Sequence, residues 1–153
     1  LQLISDVSFA NGVQTRCDCN PQNGFIKILA TGELAAQGQD RRLLIRINGA
    51  NTSYKSFVLM NGDSSAGEWD ETGIYVGRNG WGLDATFSLD FTLGIFSNAQ
   101  KITGTGSAVF AHGDNRILGY ECHGFFVSND SVRSIDVIFT GGTVNGHTRI
   151  YQL

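Results

Sequence analysis

Nucleophilic hydrolysis needs a serine lifted on a tight, glycine-bounded turn toward a base and an oxyanion donor. The nearest approach is Gly104-Thr105-Gly106-Ser107-Ala108. It lacks the closing glycine and a following helix, so it reads as a strand of small residues where another strand or subunit approaches closely. A metal site needs converging ligands, and His112, His123, His147, Cys17, Cys19 and Cys122 show no paired spacing of the zinc type. Cys122 and His123 are adjacent in an alternating stretch and should point to opposite faces. Asp63-Ser64-Ser65-Ala66-Gly67 has some character of a calcium loop, but its glycine falls one place early and Ile74 stands where a bidentate Glu belongs. No metal and no cofactor is expected. Glu68, Asp70, Glu71, Asp84 and Asp90 could supply a carboxylate pair for glycoside cleavage, yet the spacing of about 5 or 6.5–9.5 Å that such chemistry requires is not readable from sequence. The expectation is a protein that is not an enzyme.

Recognition is better represented than catalysis. The stretch Asn61–Gly82 holds both tryptophans, Trp69 and Trp81, with Asp70, Tyr75, Arg78 and Asn79 close by. Flat apolar rings beside planar hydrogen-bonding groups match the C–H faces and hydroxyl edges of a sugar. These six residues are the candidate glycan site. The competing reading is that Trp69 and Trp81 close the ends of the fold or fill a subunit interface, where tryptophan is also enriched. The residues alone leave both open.

The scaffold holding these groups is all β. Ala85, Phe87, Leu89, Phe91, Leu93 and Ile95 alternate with Thr86, Ser88, Asp90, Thr92 and Gly94, a period of two that makes a half-buried strand and leaves a helix no common apolar face. Leu1–Phe9, Gly24–Leu34, Arg41–Asn48, Lys55–Met60, Gly73–Arg78, Lys101–Ala111, Ile117–Ser128, Val132–Thr140 and His147–Leu153 repeat the pattern, giving about ten strands. Turn residues fill the gaps, as in Asn11-Gly12, Asn61-Gly62-Asp63, Asn79-Gly80 and Gly141-Gly142. No linker divides the 153 residues, so one domain is expected. Ten antiparallel strands exceed what one open sheet holds comfortably, which predicts a jelly-roll-like β-sandwich, with a lipocalin-like barrel as the alternative. The long Asn61–Gly73 connection is expected to be a loop on the sandwich edge.

Composition narrows the partners. Charged residues are only 16%, so the exterior must be largely amide, hydroxyl and backbone. A formal charge of −3 argues against nucleic acid, which would need clustered Lys and Arg. No apolar run is long enough to cross a membrane, and the first residues lack the pattern of a secretion signal. Cys17 and Cys19 are too close to pair easily within a strand, so reduced thiols in a reducing compartment are expected. Asn51-Thr52-Ser53 and Asn129-Asp130-Ser131 match the glycosylation triplet, as chance allows in a chain rich in Asn, Ser and Thr.

The order of features from Arg41 onward carries a resemblance. Arg42-Leu43-Leu44-Ile45-Arg46-Ile47-Asn48 is followed by Asn51-Thr52-Ser53-Tyr54, a glycine-rich aromatic segment and the long alternating strand. The chain closes with Val132-Arg133-Ser134-Ile135-Asp136-Val137-Ile138-Phe139, a Gly141-Gly142 turn, and Asn145-Gly146-His147-Thr148-Arg149-Ile150-Tyr151-Gln152-Leu153. This resembles the C-terminal β-sandwich domains of tailed-bacteriophage virion proteins, including tail-fibre and appendage tips, whose last strand often ends in Tyr, Gly and Ile. Gln152 and Leu153 stand here in place of the last two. The resemblance implies a non-enzymatic virion component made in the host cytoplasm, usually a homotrimer and in contact with other virion proteins. The expected role is a tail-fibre or appendage tip that binds a host-surface glycan, such as a bacterial polysaccharide. A capsid decoration protein and a polysaccharide-modifying enzyme with an intersubunit site are the alternatives.

Overall fold

The computed structural model describes residues 1–9, 12–96 and 100–153. The described chain is all β, with twelve strands: β1 Gln2–Ser8, β2 Gln14–Asp18, β3 Gly24–Ala35, β4 Arg42–Ile47, β5 Tyr54–Gly62, β6 Ala66–Asp70, β7 Ile74–Arg78, β8 Ala85–Ile95, β9 Lys101–His112, β10 Ile117–Val127, β11 Ser134–Phe139 and β12 Thr143–Gln152. The alternation of Ala85–Ile95 survives as β8, its apolar members buried and its hydroxyl members outward along most of its length.

Two strands exceed the ten expected, and each has a physical reason for its weak signal. In β2 the inward residues are Thr15 and Cys17, neither strongly apolar. In β6 the inward side carries Glu68 and Asp70 while Trp69 points outward, which inverts the usual pattern. The expected edge loop Asn61–Gly73 is therefore corrected: most of it is the β5–β6 hairpin and its turn. Of the expected Asn11-Gly12 turn, Asn11 lies outside the described residues.

The strands form two antiparallel sheets, a large one ordered β1-β12-β3-β8-β9-β10-β5-β6 and a small one ordered β2-β11-β4-β7. Successive strands β1 to β4 alternate between the sheets, as do β7 with β8 and β11 with β12, which is a jelly-roll-like path. Two hairpins interrupt it. β5–β6 lies between β4 and β7, and β9–β10 lies between β8 and β11, and both add to the same edge of the large sheet. They double it from four strands to eight.

The sheets close on one apolar core. Ile26, Ile28, Phe87, Phe91 and Phe110 of the large sheet lie with Leu43, Ile45, Ile47, Val137 and Phe139 of the small one in a single buried cluster. Phe139 bridges the layers, meeting Phe87 edge-on at 5.0 Å and Phe110 at 6.2 Å. A buried Thr15–Thr148 hydrogen bond of 2.9 Å crosses between the sheets near the β1–β2 side. Gly104 sits in the middle of β9 because the Phe91 ring lies where its side chain would be, and Gly106 because the Asp90 carbonyl and the Phe91 backbone do, so this glycine-rich run is a strand with a close neighbour.

Candidate functional site

The six residues expected to form one glycan surface are split among three settings. Trp69 lies on β6, 60% exposed as a residue, its ring tilted against Phe57 at 5.0 Å, with the Lys55 ammonium 5.8 Å from the ring. Trp81 lies in the β7–β8 connection, 38% exposed, packed edge-on to His112 at 5.0 Å with the Arg116 guanidinium 3.9 Å over its face. Its backbone is left-handed, with φ of 56°, a strained conformation for so bulky a residue. Phe57 pairs across the sheet with His123, seven residues along the chain from Arg116, so the two tryptophans belong to regions roughly 20 Å apart at strand rise.

The other four are committed to the framework. Tyr75 is fully buried beneath Arg42, whose guanidinium lies 4.5 Å over the ring, and its hydroxyl donates to Glu68. Burial, helped by that hydrogen bond, pushes its phenol well above the usual range. Arg78 grips Glu68 with two parallel hydrogen bonds of 2.8 and 3.0 Å, and the hydrogen-bonded guanidinium holds the Glu68 carboxyl below its ordinary range. At Asp70 burial works to raise the pKa, but hydrogen bonds from Thr72 and Arg42 outweigh it and the carboxyl is lowered. Asn79 is fully buried with its amide spent, accepting from the Arg41 N–H at 2.6 Å and donating to the Gln39 and Leu83 carbonyls. Tyr75 and Asn79 therefore present nothing to a ligand, which corrects their place in the candidate site. They are buried because the chain crosses between the sheets here, so side chains close in sequence serve a junction instead of a surface.

A different surface emerges from the strand register. On the outward face of the large sheet, Tyr151 pairs with Lys27, Lys27 with Thr92, Thr92 with Thr105, Thr105 with His123, His123 with Phe57, and Phe57 with Trp69. These seven residues form one transverse row over seven neighbouring strands. Six strand spacings make it about 28 Å along the sheet. Rings stand at both ends and short hydroxyl side chains lie between them.

Two open grooves flank β9, one at the Trp69 end of this row and one that meets the row at Tyr151 and lies beside it over Asp90 and Ser107. One, of about 500 Å³, is bordered by Leu29, Ser88, Asp90, Ser107, Arg149 and Tyr151. The other, of about 420 Å³, is bordered by Lys55, Phe57, Trp69, Gly104, His123 and Phe125. The hydroxyl of Thr105 meets His123 Nδ1 at 2.8 Å. Charges on the face are largely paired within it: Lys27 with Asp90 at 2.9 Å, Arg149 with Asp6 at 3.2 Å, and His147 with Asp6 at 3.4 Å. Such a surface offers apolar planes, hydroxyls and locally compensated charge.

Sequence reasoning found Trp69 and missed Tyr151, Lys27, Thr92, Thr105, His123 and Phe57. Their signal was the outward phase of each strand, but which outward residues become neighbours depends on topology.

Elsewhere, Ser107 faces outward on β9, its cross-strand neighbours being Asp90 and Glu121. Cys17, Cys19 and Cys122 are unbridged, and burial pushes Cys19 up to about 11 and Cys122 up to about 12. Among the described residues no group of three or more His, Cys, Asp or Glu gathers as a metal site. No protein-family model matches the chain, and no curated protein does so either.

Proposed function

We propose that this protein is a non-enzymatic carbohydrate-binding module that holds a bacterial surface polysaccharide against the outward face of its eight-stranded sheet. The observation that carries the reading is the transverse row from Tyr151 to Trp69. Aromatic rings take the C–H faces of sugars, and the Thr, Lys and His side chains between them offer donors and acceptors for the hydroxyl edges. The resemblance of the last two-thirds of the chain to phage virion domains supports a setting at a tail-fibre or appendage tip, with a homotrimer as its assembled form.

The test is a screen of purified bacterial polysaccharides with the wild type and with Trp69→Ala, Tyr151→Ala and Trp81→Ala, each checked for folding. Binding should be lost or weakened about tenfold or more by the first two and kept by Trp81→Ala, tenfold being the loss of about 1.4 kcal/mol of contact. Unchanged binding in folded Trp69→Ala and Tyr151→Ala proteins, or no binding across the panel, overturns the reading.

A second reading, particle decoration, has its own observation. Leu3, Phe25, Leu59, Val109, Ile117 and Val127 are exposed on this same face, an apolar content suited to a protein surface. Co-sedimentation with purified capsids, together with a blank polysaccharide screen, would select it.

A further inference from the structure

We propose that the ligand is a neutral polysaccharide bound along the interior of its chain, spanning both grooves at once. The inference rests on the carbohydrate-binding reading and specifies which carbohydrate the face admits.

The first ground is charge. The basic residues directed outward on the large sheet, Lys27, Lys55, Lys101 and Arg149, are matched by Asp6, Glu33, Asp90 and Glu121 on the same face. Lys27 and Arg149 are already engaged by Asp90 and Asp6, and His123 lies 3.5 Å from Glu121. A polymer rich in uronate or phosphate needs uncommitted cations to replace its water. Here two of the four outward basic residues, Lys27 and Arg149, are already engaged by carboxylates, and four carboxylates share the face with them. A neutral chain takes hydrogen bonds from these same ion pairs without breaking them.

The second ground is extent. The groove beside Tyr151 reaches β9 at Ser107–Val109, and the groove beside Trp69 reaches it at Gly104, leaving only Thr105 and Gly106 between them. Thr105 carries the outward side chain between them, and it is short; Gly106 faces the core, against Phe91 and the Asp90 carbonyl. Recognition of a chain end needs a wall around the terminal unit, whereas these are two separate open grooves on either side of β9. Two linked subsites make the second contact intramolecular, so affinity should climb steeply once a fragment is long enough to engage both.

The decisive experiment measures binding of sized fragments from neutral and uronate-containing bacterial polysaccharides at low and high salt, by calorimetry or interferometry. Neutral fragments should bind with less than about twofold change over the salt range, since no net counter-ion exchange is involved. Affinity should rise about a hundredfold or more between fragments that fill one groove and those that span both, the usual gain from linked sites. Trp69→Ala and Tyr151→Ala should each bring long fragments down to the short-fragment level. Preferential, salt-sensitive binding of acidic fragments, or equal affinity for short and long ones, overturns this inference while leaving the carbohydrate reading in place. Failure of every fragment and parent polysaccharide to bind overturns the carbohydrate reading itself.

Discussion

Removing the Arg78 guanidinium should cost far more than a surface charge usually does. Its side chain is 18% exposed and that of Glu68 is 20% exposed, and the pair makes two charge-assisted hydrogen bonds. Arg78 also donates to Asp40 and to the Asn79 carbonyl. Breaking a fully buried pair by deleting one partner costs about 3–5 kcal/mol, because the other charge is stranded. The residual exposure and the remaining Tyr75 hydrogen bond reduce this, so Arg78→Ala should destabilise by about 2–4 kcal/mol. Arg149–Asp6, with side chains 48% and 42% exposed, provides the contrast. Arg149→Ala should cost little, since solvent screens so exposed a pair.

Urea unfolding measures both costs. In thermal melts the Arg78 variant should lose roughly 4–16 °C, at about 2–4 °C per kcal/mol for a domain of this size. The pH dependence provides an internal check. Glu68 is depressed in the folded state, so its stabilisation is present above the ordinary carboxylate range and is lost as pH falls through the lowered value. Glu68→Gln should remove that part of the acid sensitivity. A cost for Arg78→Ala no larger than that for Arg149→Ala, or an acid profile unchanged in Glu68→Gln, would refute the reasoning.

Three further outcomes are expected. Gly104→Ala should destabilise by about 1–3 kcal/mol by crowding the Phe91 ring, and Phe91→Leu should relieve it; Gly106→Ala meets the Asp90 carbonyl and Phe91 Cα and should not be relieved, as a double-mutant cycle in urea will show. Asn79→Ala should cost about 2–4 kcal/mol in the same assay, since it strands the Arg41 N–H and two carbonyls, while leaving polysaccharide binding intact. Iodoacetamide at neutral pH should modify Cys19 slowly, and Cys17 and Cys122 only on unfolding, because burial holds all three as thiols; fast native modification of Cys122 would contradict the buried geometry.

How much of this was readable in the sequence depended on whether a side chain's partner was local. Strand β8 was plain because Phe87, Leu89, Phe91 and Leu93 alternate without interruption, and alternation is a property of one strand alone. Strand β6 was hidden because its inward residues, Glu68 and Asp70, answer to Arg78 and Arg42 on the other sheet. The cluster Asn61–Gly82 looked like one surface because its residues are sequential. Its chain crosses between the sheets, which buries Tyr75 and Asn79 and parts the two tryptophans. The Tyr151–Trp69 row draws on seven strands scattered from β3 to β12, so no window along the chain could contain it.

The inserted hairpins explain why framework and binding face depend on one another. β7 is the small-sheet strand packed beneath β5 and β10, and the apolar core reaches that far through Val58, Met60, Tyr120 and Cys122, leaving β6 beyond its edge. There the core gives way to polar ties: Ser56 joins the carbonyls of Asp70 and Gly73 and the Tyr75 N–H, and Glu68 and Asp70 meet Arg78 and Arg42. These ties hold β6, and β6 carries Trp69. Arg78→Ala should therefore weaken long-fragment binding toward the Trp69→Ala level even though Arg78 lies off the outward face, while short fragments at the Tyr151 groove bind as before. If long-fragment affinity is untouched in a variant that has lost the expected stability, the ties serve the fold alone and Trp69 is held by β5 without them.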